Sequence, residues 1–328
     1  VQAIAAVTLP FFALILTGYL AARRRLLPLE AVPGLNLFVL YFALPCLLFR
    51  FGARLPVHEL LDPVVLGVYV GCALVVVGLT IPLSRREGLT DAAFGALVAA
   101  FPNTGFMGVP LLVALLGPAA AGPVITSVLV DLFVTSSLCI AIAQAQSRLG
   151  AHESTAASML RSVRAALSNP LPWSIGLGAL ASVSGLQLPG PIDKVIAMLA
   201  DAASPVALFT IGAVLWRSGR PGPDDQADAR RPMPLSRYLP VALIKLFVHP
   251  LLVLLAAWGA RALGTGLSDF QMTVLVLAAA LPSASNVSLL AERYGADNGR
   301  VARIILASTV LAFASFTSIA WLFGVQPG

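Results

Sequence analysis

The sequence predicts an all-α integral membrane protein with ten spans, and three observations predict it. Of the 328 residues, 58% are hydrophobic and only 11% are charged. A soluble domain carries about 25% charged residues, so this chain has too little polar surface to cover a water-soluble globule. Its apolar residues fall in runs of about 20, the length a helix needs to cross a bilayer. Its basic residues gather in alternate connections between those runs.

In chain order the predicted spans cover roughly 2–22, 34–53, 63–83, 92–116, 122–144, 170–187, 192–216, 239–262, 269–293 and 299–324. Only helices and closed barrels satisfy their own backbone in lipid. These runs are apolar all round and lack the alternation of a barrel strand, so they read as helices. The first run is too long for the core of a cleaved leader, and its positive cluster Arg23-Arg24-Arg25 follows it rather than precedes it. It is expected to stay as the first span.

Charge gives the orientation. Arg23, Arg24 and Arg25, then Arg85 and Arg86, Arg148, Arg161 and Arg164, Arg217, Arg220, Arg230, Arg231 and Arg237, and finally Arg293, Arg300 and Arg303 all fall on one side. They make up 16 of the 21 basic residues. The positive-inside rule places those connections in the cytoplasm and both termini outside. The formal charge of +6 is thus a topology signal, and nucleic acid is not an expected partner. Two connections are long. One, 146–169, separates a first five-helix repeat (1–145) from a second (170–328), with an amphipathic segment around 158–167. The other, 218–237, is rich in Pro, Gly and Asp and reads as a linker. Trp173, Trp216, Trp258 and Trp321 lie near predicted span ends, as interfacial anchors do.

Five helices per half means that the halves enter the membrane in opposite senses. Leu44-Pro45 is followed by Gly52-Ala53 at seven and eight positions after the proline, and Ser204-Pro205 by Gly212-Ala213 at the same offsets. Spans 4 and 9 are each interrupted near the middle, at Pro102-Asn103-Thr104-Gly105 and at Pro282-Ser283-Ala284-Ser285-Asn286. Proline removes a donor and clashes with the preceding turn. Such a break in lipid is tolerated only against protein or a wet cavity, and paired broken helices in inverted halves are the best sequence pointer to a transport site. The candidate solute-binding residues are therefore Asn103, Thr104, Gly105, Ser283, Ser285 and Asn286, with Pro102 and Pro282 forcing the breaks. Amides, hydroxyls and the exposed N–H groups of a following half-helix suit a carboxylate. The same side chains can instead cap the broken backbone.

Ionisable residues inside a span are functional candidates by default. Asp131 in span 5, Asp201 in span 7 and Lys245 in span 8 could couple transport to a proton or sodium ion, and no other cofactor is implied. The plainer readings are a hydrogen-bonded acid near Thr135 for Asp131, and structural pairing for Asp201. Lys245 could pair with either aspartate or snorkel to the cytoplasmic surface. His249, one turn later, could titrate near neutral pH, and the plainer reading is a hydrogen bond to a carbonyl. Cys46, Cys72 and Cys139 stand singly, without metal or redox spacing. His58-Glu59-Leu60-Leu61-Asp62 lacks the second histidine of a metalloprotease helix, there is no Gly-x-Ser-x-Gly elbow, and an Asp131/Asp201 acid pair lacks the motifs of an aspartyl protease. Enzyme chemistry is thus not expected, and carrier, channel and sensor remain.

Pro102-Asn103-Thr104, Met107-Gly108 and Pro110-Leu111-Leu112 closely resemble the fourth span of the plant auxin exporters, within the wider auxin efflux carrier family. Leu44-Pro45, Asn169-Pro170, Asp201-Ala202 with Gly212, Lys245 with Pro250, and Leu281-Pro282 with Glu292-Arg293-Tyr294-Gly295 extend the resemblance along the chain. It implies ten spans in two inverted repeats, like the sodium/proton antiporter and bile-acid symporter folds, with spans 4 and 9 crossing. It also implies elevator-type movement of spans 3, 4, 5, 8, 9 and 10 against a scaffold of spans 1, 2, 6 and 7, a homodimer, and organic-anion substrates that in bacteria include dicarboxylates such as malonate. The short central loop and the Ser-Ala-Ser-Asn after Pro282 are departures from the plant pattern that fit a bacterial member, resident in the cytoplasmic membrane.

Overall fold

The computed structural model describes residues 2–56, 62–145, 167–218 and 233–326. Among these the chain is helical throughout, with one isolated antiparallel bridge between Pro102 and Ser283. Seven helices are long and apolar enough to cross a membrane. They are α1 (Gln2–Arg23), α2 (Ala31–Arg54), α3 (Pro63–Leu83), α5 (Pro118–Ala145), α7 (Gly190–Arg217), α8 (Leu239–Ala262) and α10 (Asn298–Leu322). Three other predicted runs are shorter in the structure. Run 4 divides into α4a (Leu89–Ala100) and α4b (Thr104–Leu116). Run 9 divides into α9a (Asp269–Ala280) and α9b (Val287–Arg293). Helix α6 (Pro170–Ser184) has 15 residues and stops at Gly185, whose φ of 63° is the left-handed conformation that ends helices. The predicted segment at 158–167 and most of the linker at 218–237 lie outside the described residues.

Local chemistry sets the helix starts. Asp62 accepts hydrogen bonds from the amides of Val64 and Val65 ahead of Pro63, and Asn169 does the same for Leu171 ahead of Pro170. Side-chain acceptors satisfy amides that a first turn leaves open, and proline at the first position gives up none that is needed. Ser268 and Gln271 form a reciprocal capping box at α9a.

Packing divides the helices into two groups. Helix α1 lies against α7, and α2 lies against α6 and α7. In the other group α3 contacts α4a and α8, α8 contacts α9a, and α4a contacts α5. Within the first group the backbones touch at glycines. A Cβ on Gly18 of α1 would run into the carbonyl oxygen of Phe209 in α7, and one on Gly212 into that of Ile15. Between α2 and α6, a Cβ on Gly178 would meet the carbonyl of Phe49, and one on Gly52 that of Ile175 at 2.9 Å. Small residues that let helix backbones approach are the usual seam between helices in lipid.

Among the described residues, four short π-helical turns interrupt the helices: Val39–Ala43 in α2, Thr104–Gly108 at the start of α4b, Asp131–Thr135 in α5 and Ile244–Val248 in α8. Such turns recur at functional sites, and three of these four carry residues singled out in the sequence.

At the end of the bundle carrying Arg85, Arg237 and Arg300, a polar cluster ties the second group together. Arg300 of α10 is buried, and its guanidinium donates to Ser84 Oγ, the Asp91 carbonyl and the Arg237 carbonyl at 2.9, 3.0 and 2.8 Å. Arg237 forms a two-pronged ion pair with Glu87. That contact holds the Glu87 carboxyl below the usual carboxylate range.

Candidate functional site

The two breaks meet. Pro102 and Pro282 cannot continue their helices, and the residues around them are extended enough to pair. The Asn103 amide donates to the Pro282 carbonyl at 2.8 Å, and the Ala284 amide donates to the Phe101 carbonyl at 3.0 Å. Backbone freed by each break is thus satisfied by the other, which is how irregular chain survives at membrane depth. The Ser283 amide donates to Ser308 Oγ of α10 at 3.2 Å. On α4b, the amides of Met107 and Gly108 both donate to the Asn103 carbonyl.

Three side-chain polar atoms here are buried and hold no hydrogen bond: Asn103 Oδ1, Ser283 Oγ and Asn286 Oδ1. Buried polar groups are nearly always paired, and exceptions ask for an explanation such as an absent ion or ligand. An asparagine amide can present its oxygen or its nitrogen by turning over. Capping does not account for these atoms, because no side-chain cap bond is made by Asn103 or Asn286. Thr104 is fully buried and its hydroxyl reaches the Pro102 carbonyl at 3.5 Å. A Cβ added to Gly105 would meet nothing, so this glycine borders open space.

A cavity of about 350 Å³ reaches the crossing. Phe101, Phe106, Ser285 and Asn286 line it, with Ser136 and Ser137 of α5. Asn36, Asn169, Arg293 and Tyr294 line it as well. Its walls therefore come from both helix groups, α2 and α6 on one side and α4, α5 and α9 on the other. Of the sequence-derived candidates, Ser285 and Asn286 face this cavity. Asn103, Thr104 and Ser283 are buried beside it.

The ionisable residues separate into two places. Asp131 is fully buried, accepts from Tyr69 Oη at 3.1 Å and Thr135 Oγ1 at 3.3 Å, and also faces Thr104 and Lys245. The expected Thr135 contact is present, and Tyr69 of α3 is an additional partner. Nothing in the local sequence of α3 marks this tyrosine, because its partner lies 62 positions away. Lys245 does not snorkel. It is fully buried, with Nζ donating to the Ala279 carbonyl of α9a at 2.6 Å and 3.4 Å from His249 Nδ1. Acceptors inside the bundle replace the water that a snorkelling ammonium would seek. His249 correspondingly faces the ammonium rather than a carbonyl through Nδ1, and its Nε2 is buried without a partner. Asp201 is apart from all of these. It pairs with Arg50 of α2 at 3.0 Å, and its side chain is 76% exposed.

Comparison with known proteins gives the family. The model of the membrane transport protein family matches residues 3–320. A protein of Rhizobium meliloti (strain 1021) named "Putative malonate transporter" is 33% identical over 323 residues, 97% of this chain and 95% of that protein. The "Uncharacterized transporter YfdV" of Escherichia coli (strain K12) is 25% identical over 321 residues, 96% and 95% of the two chains. An "Uncharacterized transporter" of Methanothermobacter thermautotrophicus is 26% identical over 306 residues, 92% of each. With helices long enough to cross a bilayer, two broken helices clasped at a cavity, and a family match along nearly its whole length, the chain belongs to the membrane transport protein family, that of the auxin efflux carriers, and is a transporter rather than an enzyme.

Proposed function

We propose that this protein carries a small carboxylate across the bacterial cytoplasmic membrane by elevator-type alternating access. The observation that carries the reading is the crossing itself, where Asn103 Oδ1, Ser283 Oγ and Asn286 Oδ1 are buried and unpartnered beside a cavity. Side-chain amide and hydroxyl groups that can donate make a site for an oxyanion. Asn103, Thr104, Gly105, Ser283, Ser285 and Asn286 are the binding residues in this reading. The printed name of the Rhizobium relative makes malonate the first solute to try.

Ten spans in two inverted repeats, 1–145 and 170–328 about the 146–169 connection, underlie the mechanism. The glycine contacts support this. Moving 160 positions along the chain takes Gly18 to Gly178, Phe49 to Phe209, Gly52 to Gly212 and Ile15 to Ile175. The α1–α7 contacts thereby become the α2–α6 contacts, as a two-fold axis in the membrane plane requires. The same shift takes Pro10 to Pro170 and Pro45 to Pro205. Helices α1, α2, α6 and α7 are the scaffold, and the remaining six move, with the cavity between the two groups. Both termini lie outside by the distribution of basic residues. In this reading the lining residues Asn36, Asn169, Arg293 and Tyr294, next to the basic connections, support a cavity that opens to the cytoplasmic side. A homodimer is supported by the exposed Arg50–Asp201 pair on the scaffold, a charged surface that is costly against lipid. Asp131 and Lys245 are the ion-coupling residues, and Asp201 belongs to the scaffold.

Thermal unfolding of purified protein with a panel of mono- and dicarboxylates tests the reading. A ligand at a hundredfold excess over its Kd adds about 2.7 kcal/mol to the folded state. Malonate or a related carboxylate is expected to stabilise the wild type and not Asn103→Ala or Pro102→Ala. Equal stabilisation of both folded variants removes the crossing as the binding site.

A further inference from the structure

One group of neighbouring side chains in the interior outside the cavity comprises Tyr69, Asp131, Lys245 and His249, each fully buried. None of them lines the cavity. They come from α3, α5 and α8, and Asp131 and Lys245 both occupy π-helical turns. Among the described residues, Cys72 is a further titratable group facing them, from α3 toward Tyr69. Helices α4 and α9a contribute the Thr104 hydroxyl and the Ala279 carbonyl.

We propose that Lys245 is the proton-exchanging residue of this carrier, held by His249 and the Ala279 carbonyl and facing Asp131, so that carboxylate and proton travel together and sodium takes no part. The proposal rests on the carrier reading above and adds the coupling ion and its site.

The geometry suits both protonation states of the amine. As an ammonium, Lys245 has three N–H donors and no acceptor. Ala279 O at 2.6 Å takes one, His249 Nδ1 at 3.4 Å takes another, and the facing Asp131 carboxylate balances the charge. His249 then holds its single N–H on Nε2. When the ammonium releases a proton, one N–H bond on Nζ breaks, the proton leaves to water, and the amine keeps two N–H donors and gains a lone pair. Those two donors still reach the Ala279 carbonyl and His249 Nδ1, and the imidazole stays neutral with its N–H on Nε2 in both states.

The cradle also touches both breaks. Ala279 is in the last turn of α9a before Pro282, and Thr104, which faces Asp131, follows Asn103. A carboxylate at the crossing favours the ammonium by Coulomb attraction across a low-dielectric interior. The proton in turn offsets the charge of the solute while the mobile helices cross the membrane, where an uncompensated charge is expensive. An ammonium already bonded to the Ala279 carbonyl and His249 Nδ1 leaves neither to sodium at this position.

Proteoliposomes containing a pH-sensitive dye, given an inward malonate gradient in sodium-free potassium buffer with valinomycin, test the coupling. The wild type is expected to acidify the lumen as labelled malonate enters, at the same rate when sodium is added. The double variant Asp131→Asn/Lys245→Met keeps the cluster neutral. It should retain malonate-induced thermal stabilisation and lose the dye signal per malonate moved by about tenfold or more. Malonate entry without acidification in the wild type overturns the proposal, as does an acidification that needs sodium or persists in the double variant. Potentiometric titration between pH 5 and 9 gives a readout that needs no solute: the wild type should release about one proton per chain more than the double variant. Equal release overturns the proton site even if malonate is carried. If no carboxylate binds or moves but the extra proton is found, the carboxylate reading fails and the proton site stands.

Discussion

Gly212→Ala should destabilise the protein by overpacking a seam, although the same change helps an ordinary helix. The ideal Cβ at Gly212 collides with the Ile15 carbonyl oxygen and also crowds the Tyr19 amide and the Ile15 carbonyl carbon of α1, all of them backbone. A side chain could swing away, but a backbone carbonyl in the middle of a helix moves only with the helix. Restoring ordinary carbon–oxygen contact requires α1 and α7 to separate by on the order of 1 Å, in an interior packed as densely as an organic crystal. Forced overpacking of this kind costs about 1–3 kcal/mol. Alanine returns about 0.5–1 kcal/mol of helix propensity, leaving a net loss of about 1–2 kcal/mol. Gly18→Ala meets the Phe209 carbonyl and should match it. Gly52→Ala has 2.9 Å to the Ile175 carbonyl, needs a shift of a few tenths of an ångström, and should cost less than either. Gly71 in α3 has nothing within 4 Å of an added Cβ, so Gly71→Ala should be neutral or stabilising. The assay is thermal unfolding in detergent, following tryptophan fluorescence across the four variants. A Gly212→Ala protein as stable as Gly71→Ala would refute close backbone packing between α1 and α7.

Three further outcomes follow from the packing and the charges. Arg300→Met should lower stability by about 3 kcal/mol, because Ser84 Oγ and the carbonyls of Asp91 and Arg237 lose their buried donors. Unfolding of Arg300→Lys should fall between the wild type and the methionine variant. Glu87 has a folded-state pKa held below its unfolded value, first by its hydrogen bond to Arg237. The stability it contributes is therefore present above the ordinary carboxylate pKa of about 4.3 and is lost as pH falls through the lower folded value. Between pH 5 and 3 the melting temperature of the wild type should fall more steeply than that of Glu87→Gln, and parallel curves would show that the contact is inert. Asp201→Ala removes an ion pair whose acid is largely exposed, so carboxylate-induced stabilisation should be unchanged. Its expected effect is on the distribution between monomer and dimer measured by light scattering in mild detergent.

The all-helical membrane character and the two interruptions were readable from sequence because both are local properties. Length and apolarity mark α8 at its observed bounds, and Pro102 and Pro282 announce their own breaks. Three of the ten runs are shorter or divided in the structure, since a run of apolar letters does not show where a proline or Gly185 ends the helix inside it. Gly52 and Gly212 were visible as matched letters, but the reason for glycine lay in the carbonyls of Ile175 and Ile15 on other helices. The interior of the site was less legible for the same reason. Asp131 and Lys245 announce themselves by charge, whereas Tyr69 is one aromatic among many until α3 and α5 are packed. Lys245 was ambiguous because a long cation near a helix end can reach water or an internal acceptor. Only the placement of Ala279 and His249 decides between the two. Arg300 looked like one more cytoplasmic arginine, and its burial depends on three separate segments converging on it.

The two backbone hydrogen bonds between Asn103 and Pro282 and between Ala284 and Phe101 have a consequence for which sequence changes the fold accepts. They act like a clasp with a single fitting position. One inserted residue between Pro102 and Thr104, or between Pro282 and Asn286, would rotate the following half-helix by about 100°. That rotation would carry every downstream side chain off its face while leaving composition and hydropathy untouched. The apolar halves on either side can exchange one aliphatic residue for another at modest cost. At the crossing, spacing is the constrained quantity, so a one-residue insertion or deletion there should abolish folding where substitutions at the same positions only weaken binding.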